Sequence, residues 1–141
     1  MIPSSSSISF RIPAQLNNIC LLGISARALF SSLGFGKTDA FQLELAVVEA
    51  ANNIVLHAYQ QEKNTALDME FSVTEDRVTC TFVDQGKPAD FLREHQPICR
   101  CNDLQLLAEN KRGIALIYEI MDEVSYTRKE EDNVLTLVKY L

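Results

Sequence analysis

The segment 41–59 is almost continuously apolar, yet a stripe of polar side chains runs through it. Apolar residues occur nearly all round the predicted helix between Leu45 and Ala58, which indicates a buried helix. At about 100° per residue, the polar members fall within an arc of roughly 140°. Polar groups on a buried helix need partners or a pocket. The stripe consists of Glu49, Asn52, Asn53 and His57.

Alternation of apolar and polar residues predicts a sheet that is covered on one face only. A strand is expected over 5–12, a hairpin over 67–83, and a closing pair of strands over 123–128 and 133–140. The hairpin strands are polar on one side, so helices are expected on the other side alone. Helical spacing predicts helices over 14–33, 38–59 and 114–121, with a short helix over 103–109.

The stretch 85–111 shows no sustained pattern apart from that short helix. An irregular segment of this length inside a compact domain is usually functional, for example as a lid. The lid prediction covers residues 88–112.

Composition excludes several classes of protein. The 141 residues carry a formal net charge of −6, which argues against non-specific binding of nucleic acid through phosphates. No apolar run approaches the roughly 20 residues that span a bilayer. The first residues lack the basic and apolar regions of a signal peptide, so we expect a cytoplasmic protein.

The four cysteines, Cys20, Cys80, Cys99 and Cys101, are expected to be reduced thiols. A zinc site formed by His95, Cys99 and Cys101 is a weaker alternative. Its Cys-x-Cys spacing is tighter than is usual for structural zinc, and a fourth ligand is missing.

Three short motifs carry residue types suited to phosphoryl chemistry. Glu49 and Asn53 are i, i+4 neighbours, where a carboxylate can accept a proton and an amide oxygen can bind Mg²⁺. Asp84 precedes Gly86 at the end of a strand, where it can accept a hydrogen bond from the amine of a base such as adenine. Gly113, preceded by Arg112, opens a predicted helix where phosphate can approach backbone N–H groups. Each motif alone also fits an ordinary helix edge, turn or helix start.

The order of these motifs resembles the GHKL ATPase superfamily. The resemblance is closest to the anti-sigma-factor serine/threonine kinases of bacterial partner-switching systems. It implies a two-layer α/β sandwich with the GHKL (Bergerat) ATP-binding fold, a mixed, mostly antiparallel sheet, and one domain over 1–141. The matched stretches cover nearly the whole chain in the family's order: 44–59, 82–90, 112–124 and 133–139.

The resemblance also implies roles for individual residues. Glu49 falls at the position of the family's general base and Asn53 at that of its Mg²⁺ ligand. Asp84 is expected to bind adenine, with Gly86 beside it. The remaining nucleotide-binding positions are expected at Arg112, Gly113 and Thr136.

The implied function is an ATP- and Mg²⁺-dependent protein serine/threonine kinase that regulates transcription. Its expected substrate is a STAS-domain anti-sigma-factor antagonist, and a sigma factor or another regulator is expected to bind a different surface. No direct contact with nucleic acid or membrane is expected. The helix over 14–33 has apolar residues on more than one face. Those that do not cover the sheet are a surplus that could form a homodimer seam, and the apolar residues are Leu16, Leu22, Ile24, Leu29 and Phe30.

Two features depart from the family pattern. Pro88 replaces the second glycine of the Asp-x-Gly-x-Gly motif, and the run before Gly113 lacks the usual lid glycines. A non-catalytic partner-binding module with weakened nucleotide binding is therefore the alternative. The ATPase half of a histidine kinase is disfavoured, because no phosphoacceptor histidine precedes Ala40.

Overall fold

The computed structural model describes residues 5–59, 65–88 and 109–141, without the side chains of His57 and residues 109–112. The described chain forms five strands, three α-helices and one π-helical turn. The strands are β1 (Ser6–Pro13), β2 (Ala66–Val73), β3 (Arg77–Asp84), β4 (Glu123–Lys129) and β5 (Asp132–Tyr140). The helices are α1 (Leu16–Ser32), α2 (Lys37–Asn53), the π-helical turn (Ile54–Ala58) and α3 (Glu109–Ile120).

The strands form one sheet in the order β1-β2-β3-β5-β4, and every described pair is antiparallel. The central pairing of β3 with β5 sets Asp84 opposite Asn133 and Thr81 opposite Thr136. Since residues that oppose each other across a ladder share a face, this register fixes which polar side chains can meet.

Alternation along β3 separates the two faces of the sheet. Val78, Cys80 and Phe82 are fully buried in the core, while the residues between them are only half-buried. The core joins this face to the helices, with the Phe30 ring of α1 edge-on to Phe71 of β2 at 5.2 Å between centroids. The predicted two-layer sandwich with helices on one face is confirmed.

Helix α2 packs between α1 and α3 and forms the centre of the helical layer. The predicted surplus on α1 is smaller than its sequence indicates, since Leu22 and Phe30 are core residues. The apolar side chains of α1 that remain exposed are Leu16, Leu21 and Ile24.

Two helix ends differ from expectation. Helix α2 ends at Asn53, and the chain continues as a π-helical turn rather than as α-helix to Tyr59. Helix α3 is helical from Glu109 and passes through Gly113, which was expected to precede it. The expected helix over 103–109 and most of the lid lie outside the described residues. Within the described ranges, no helix is long and apolar enough to cross a bilayer.

Candidate functional site

Glu49 of α2 lies directly against Gly113 of α3. A Cβ atom added at position 113 would collide with the Glu49 carboxylate and lie 3.2 Å from its Cδ atom. Glu49 is half-buried at this contact. Gly113 therefore gives the carboxylate room between two packed helices. Because α3 starts earlier than expected, the Gly113 N–H is not among the first four free N–H groups of the helix.

Asn53 follows Glu49 by one helical turn and is also half-buried. It is the last residue of α2 before the π-helical turn, a feature that often occurs at functional sites. Its amide oxygen is a hard, neutral donor of the kind Mg²⁺ accepts. Mg²⁺ typically takes only one or two protein ligands when substrate phosphates complete its shell. The donor chemistry at this position therefore fits Mg²⁺. The described residues contain no group of three or more His, Cys, Asp or Glu side chains that could hold a metal.

Asp84 ends β3 as a buried carboxylate, with 5% of its surface exposed. Its Oδ1 atom accepts hydrogen bonds from the Gly86 N–H at 2.9 Å and from the Asn133 amide at 2.8 Å. Burial raises the pKa of the Asp84 carboxyl above its usual value, while these two hydrogen bonds and the Arg128 guanidinium oppose the rise.

Gly86 allows the turn after β3 to pack directly against Ala58, the last residue of the π-helical turn. A Cβ atom at position 86 would collide with the Ala58 carbonyl group and lie 2.8 Å from the Ala58 Cβ. The next residue, Lys87, donates its backbone N–H to the same Ala58 carbonyl oxygen at 2.9 Å. The motif glycine is therefore required by backbone contact, because any larger residue would push the turn away from the helical layer.

The segment carrying Glu49, Asn53 and Ala58 thus connects two parts of the site. Glu49 lies against α3, and Ala58, nine residues later, lies against the turn that follows Asp84. At 1.5 Å per residue, these positions are separated by about 13 Å along the segment. That separation suits a ligand with a base at one end and phosphates at the other.

The buried polar residue Asn133 was missed by the sequence analysis. It is fully buried on β5 opposite Asp84. Its amide donates to Asp84 Oδ1 and, at 2.9 Å, to the Gly86 carbonyl oxygen. Its own oxygen accepts a hydrogen bond from Arg128 of β4 at 2.9 Å. The register of β5 against β3 would have identified it, because that register pairs Asn133, near the β4–β5 turn, with Asp84.

The structure does not bring Thr136 to Asp84. Thr136 is paired with Thr81, and both point to the face of the sheet opposite that of Phe82 and Asp84. The polar side chain that meets Asp84 from β5 is Asn133, three residues earlier. Arg112 lies in the first turn of α3, and its side chain is outside the described part of the chain.

A pocket of about 870 Å³ opens at the turn that carries Gly86. It shares Asp84, Gly86 and Arg128 with the site and extends to Arg11 and Asp68 on the open face of the sheet. Glu49, Asn53 and Gly113 do not line it, so the pocket includes only the Asp84 end of the site.

Two of the cysteines are described, and both are free thiols. Cys20 is exposed, whereas burial raises the pKa of Cys80 to about 12. His95, Cys99 and Cys101, the alternative zinc ligands, lie outside the described residues.

Comparisons with known proteins show which proteins this chain is similar to. A family model for the histidine kinase-like ATPase domain matches residues 12–139. The serine-protein kinase RsbW of Bacillus subtilis is 29% identical over 137 residues, which cover 95% of this chain and 85% of that protein. The RsbW protein of Bacillus velezensis is 30% identical over an alignment of 144 positions that covers 100% of this chain and 89% of that protein.

A solved structure shares the fold. The crystal structure of the SiaB-SiaC complex from Pseudomonas aeruginosa contains a chain that matches with a TM-score of 0.68 and 16% sequence identity. The match covers 95% of this chain and 88% of that one.

Proposed function

Because this chain belongs to the family of histidine kinase-like ATPase domains, we propose that it is an ATP-dependent protein serine/threonine kinase. The observation that carries the proposal is the half-buried Glu49 carboxylate held against Gly113, one helical turn from Asn53. The related RsbW proteins, which are named serine-protein kinases, support the same activity.

The proposed reaction transfers the terminal phosphoryl group of ATP to a protein hydroxyl. Glu49 orients the incoming hydroxyl and accepts its proton as the new oxygen–phosphorus bond forms. The bond from phosphorus to the bridging oxygen breaks, and ADP leaves with that oxygen. Positioning and charge neutralisation dominate such transfers, so the clearance at Gly113 matters because it fixes where the carboxylate lies.

Other residues bind and orient the nucleotide in this proposal. Asn53 would hold Mg²⁺, which when bound neutralises charge on the phosphates. Asp84 accepts a hydrogen bond from the exocyclic amine of adenine, and Gly86 keeps the turn beside it close to α2. Arg112 contributes charge at the phosphate end, and Gly113 acts there by leaving room for the Glu49 carboxylate.

The proposed substrate is a serine or threonine of a STAS-domain anti-sigma-factor antagonist. The kinase would also bind a sigma factor or another regulator and exchange partners when the antagonist is phosphorylated. Support comes from the similarity to RsbW over nearly the whole chain and from the fold shared with a chain of the SiaB-SiaC complex.

The test is phosphoryl transfer with purified components. The protein is mixed with radiolabelled ATP, Mg²⁺ and each STAS-domain protein of the same organism, and label on the STAS protein is measured. Transfer that requires Glu49 is expected. Absence of ATP and ADP binding by the wild-type protein in calorimetry would contradict the proposal.

A second candidate is a non-catalytic partner-binding module of the same fold. The observation that favours it is the start of α3 at Glu109, since the four residues before Gly113 are helical rather than a glycine-rich loop. This candidate predicts complex formation with a STAS-domain protein, weakened nucleotide binding and no transfer, so the transfer experiment and the calorimetry separate the two.

A further inference from the structure

Asn133 uses its whole side-chain amide within one buried network. The nitrogen donates two hydrogen bonds, to Asp84 Oδ1 and to the Gly86 carbonyl oxygen, and the oxygen accepts one from Arg128. Arg128 also donates to the Gly86 carbonyl oxygen at 3.4 Å. A set of hydrogen bonds that share their members in this way restricts those members to one arrangement.

The network makes the two oxygens of Asp84 unequal. Oδ1 accepts both the Gly86 N–H and the Asn133 amide. Both hydrogen bonds that Asp84 accepts from these described residues end on Oδ1, and neither ends on Oδ2. With Oδ1 held by two donors, the orientation of the carboxylate is restricted, and Oδ2 is the oxygen that remains for a ligand in this inference.

The network also favours the ionised carboxylate, which accepts hydrogen bonds but cannot donate one. Burial acts against ionisation, and the hydrogen bond from Asn133 is the first of the effects that oppose burial. In the part of the chain that the structure describes, the charged or titratable groups that act on Asp84 are Arg128 of β4, Asp132 of β5 and Tyr59 after the π-helical turn. Asp132 disfavours the charge and Arg128 favours it.

We propose that Asn133, held by Arg128, is a positioning residue that keeps Asp84 Oδ2 as a hydrogen-bond acceptor and thereby makes the site select 6-aminopurine over 6-oxopurine nucleotides. This inference rests on the proposed nucleotide site. A 6-amino group donates a hydrogen bond to Oδ2. A 6-oxo group cannot, because its oxygen and Oδ2 are both hydrogen-bond acceptors. Sites built around a buried polar group discriminate strongly against a ligand that leaves the group unpaired.

The decisive variant is Asn133→Ala, tested by calorimetry with ADP and GDP between pH 5.5 and 8.5. Loss of a hydrogen bond to a charged group should weaken ADP binding by roughly tenfold or more. GDP binding should change less, so the ADP-to-GDP preference falls. The acid limb of the ADP profile should move to higher pH, because Asp84 loses the donor that favours its ionised form. A merely structural role would not shift the pH profile.

Arg128→Gln is the second variant, and the same measurements on it test the inference if Asn133→Ala fails to fold. Arg128 is exposed, and its removal leaves Asn133 without a charged donor. The same changes in preference and pH profile are expected at smaller size. Arg11→Gln is the matched control, because it removes a cation from the same end of the sheet without touching the network. A folded Asn133→Ala or Arg128→Gln protein with wild-type preference and pH profile would overturn the inference.

A measurement without nucleotide separates this inference from the proposed function. The carboxyl carbon of Asp84 is titrated by NMR in the wild-type protein and in both variants. A higher pKa in the variants is expected even if the wild-type protein binds no nucleotide, in which case only the proposed function and its base selectivity fail. An unchanged Asp84 titration in both variants contradicts the positioning role.

Discussion

The Glu49 carboxylate occupies the space that a side chain at Gly113 would need. Two residues 64 positions apart in the sequence are thereby coupled, since the smallest residue of α3 faces the only carboxylate within the polar stripe of α2. This packing contact is not expected of a carboxylate at a solvated helix edge, and the role of Glu49 as the general base stays a prediction.

Glu49→Gln should keep the shape of the side chain but remove its ability to accept a proton. Phosphoryl transfer is expected to fall by roughly 10²–10⁴-fold, the range for removing a positioned general base. ATP binding and binding of the unphosphorylated partner should persist, because Asn53 and Asp84 are unchanged. Radiolabel transfer and calorimetry measure the two effects separately. Full transfer activity in this variant would remove Glu49 from the mechanism.

Gly113→Ala should displace the Glu49 carboxylate. We expect transfer to fall by at least about tenfold, because small misplacements of reacting groups are costly. Gly36→Ala is the matched control, since no atom lies within 4 Å of a Cβ atom at that position. Equal single-turnover rates in the two variants would show that the contact with Gly113 does not position the base.

Asp84→Asn should weaken ATP binding by roughly 1–3 kcal/mol, because a hydrogen bond to a buried charge is lost. The fold should persist, since the amide oxygen of the substituted side chain can still accept hydrogen bonds from Gly86 and Asn133. Calorimetry measures the affinity, and circular dichroism checks the fold. Unchanged ATP affinity in the folded variant would exclude Asp84 from the site.

The same variant should change how stability depends on pH. In the wild-type protein, burial raises the pKa of Asp84 above its usual 3.8, so the folded state binds more protons than the unfolded state just above pH 3.8. The contribution of Asp84 to the free energy of unfolding therefore falls as pH rises through this window. The amide introduced by Asp84→Asn cannot titrate, and urea unfolding at several pH values should show that this contribution has disappeared.

Ile24→Glu should prevent dimer formation if the exposed apolar residues of α1 form the seam. Ile24 and Leu21 are 61% and 59% exposed and lie three residues apart on one face. Light scattering at micromolar concentration should give a dimer for the wild-type protein and a monomer for the variant. Stability should change by less than about 0.5 kcal/mol, because the site is on the surface. Gln42→Glu adds the same charge at another exposed position and should leave the dimer intact. A wild-type monomer would contradict the seam.

Glu130→Gly should stabilise the protein by roughly 0.5–1 kcal/mol. Glu130 has a φ of 56° in the two-residue turn between β4 and β5. This conformation is strained for glutamate but not for glycine, and the strain is larger than the conformational entropy that glycine adds to the unfolded chain. Chemical denaturation measures the change. Glu131→Gly removes the same charge from the neighbouring position, which has no positive φ, and should not stabilise.

Local patterns predicted the framework of the fold because they report burial directly. Alternation located the hairpin formed by β2 and β3 and helical spacing located α1, each to within a few residues, whereas for α2 only the start was located so closely. Gly113 was misplaced because glycine commonly marks a helix boundary. Here the helix continues through it, and its missing side chain serves a tertiary contact with Glu49 that the local sequence does not encode.

The partner of Asp84 was missed for a related reason. Asn133 lies 49 positions away, and only the pairing of β3 with β5 brings the two together. Thr136 was selected by resemblance, but it lies three residues further along β5, and an odd step along a strand changes the face of the sheet. Pairing between distant strands therefore limited the prediction of the site more than local structure did.

The short turn between β4 and β5 restricts how this chain can diversify. Arg128 and Asn133 occupy their places because each lies a fixed number of residues from that turn. One inserted residue that slipped β5 against β3 would send Asn133 to the open face and bring a different side chain to Asp84. Substitutions in the turn therefore leave the residues beside Asp84 in place, but a change in its length that shifts the register would put a different side chain beside Asp84.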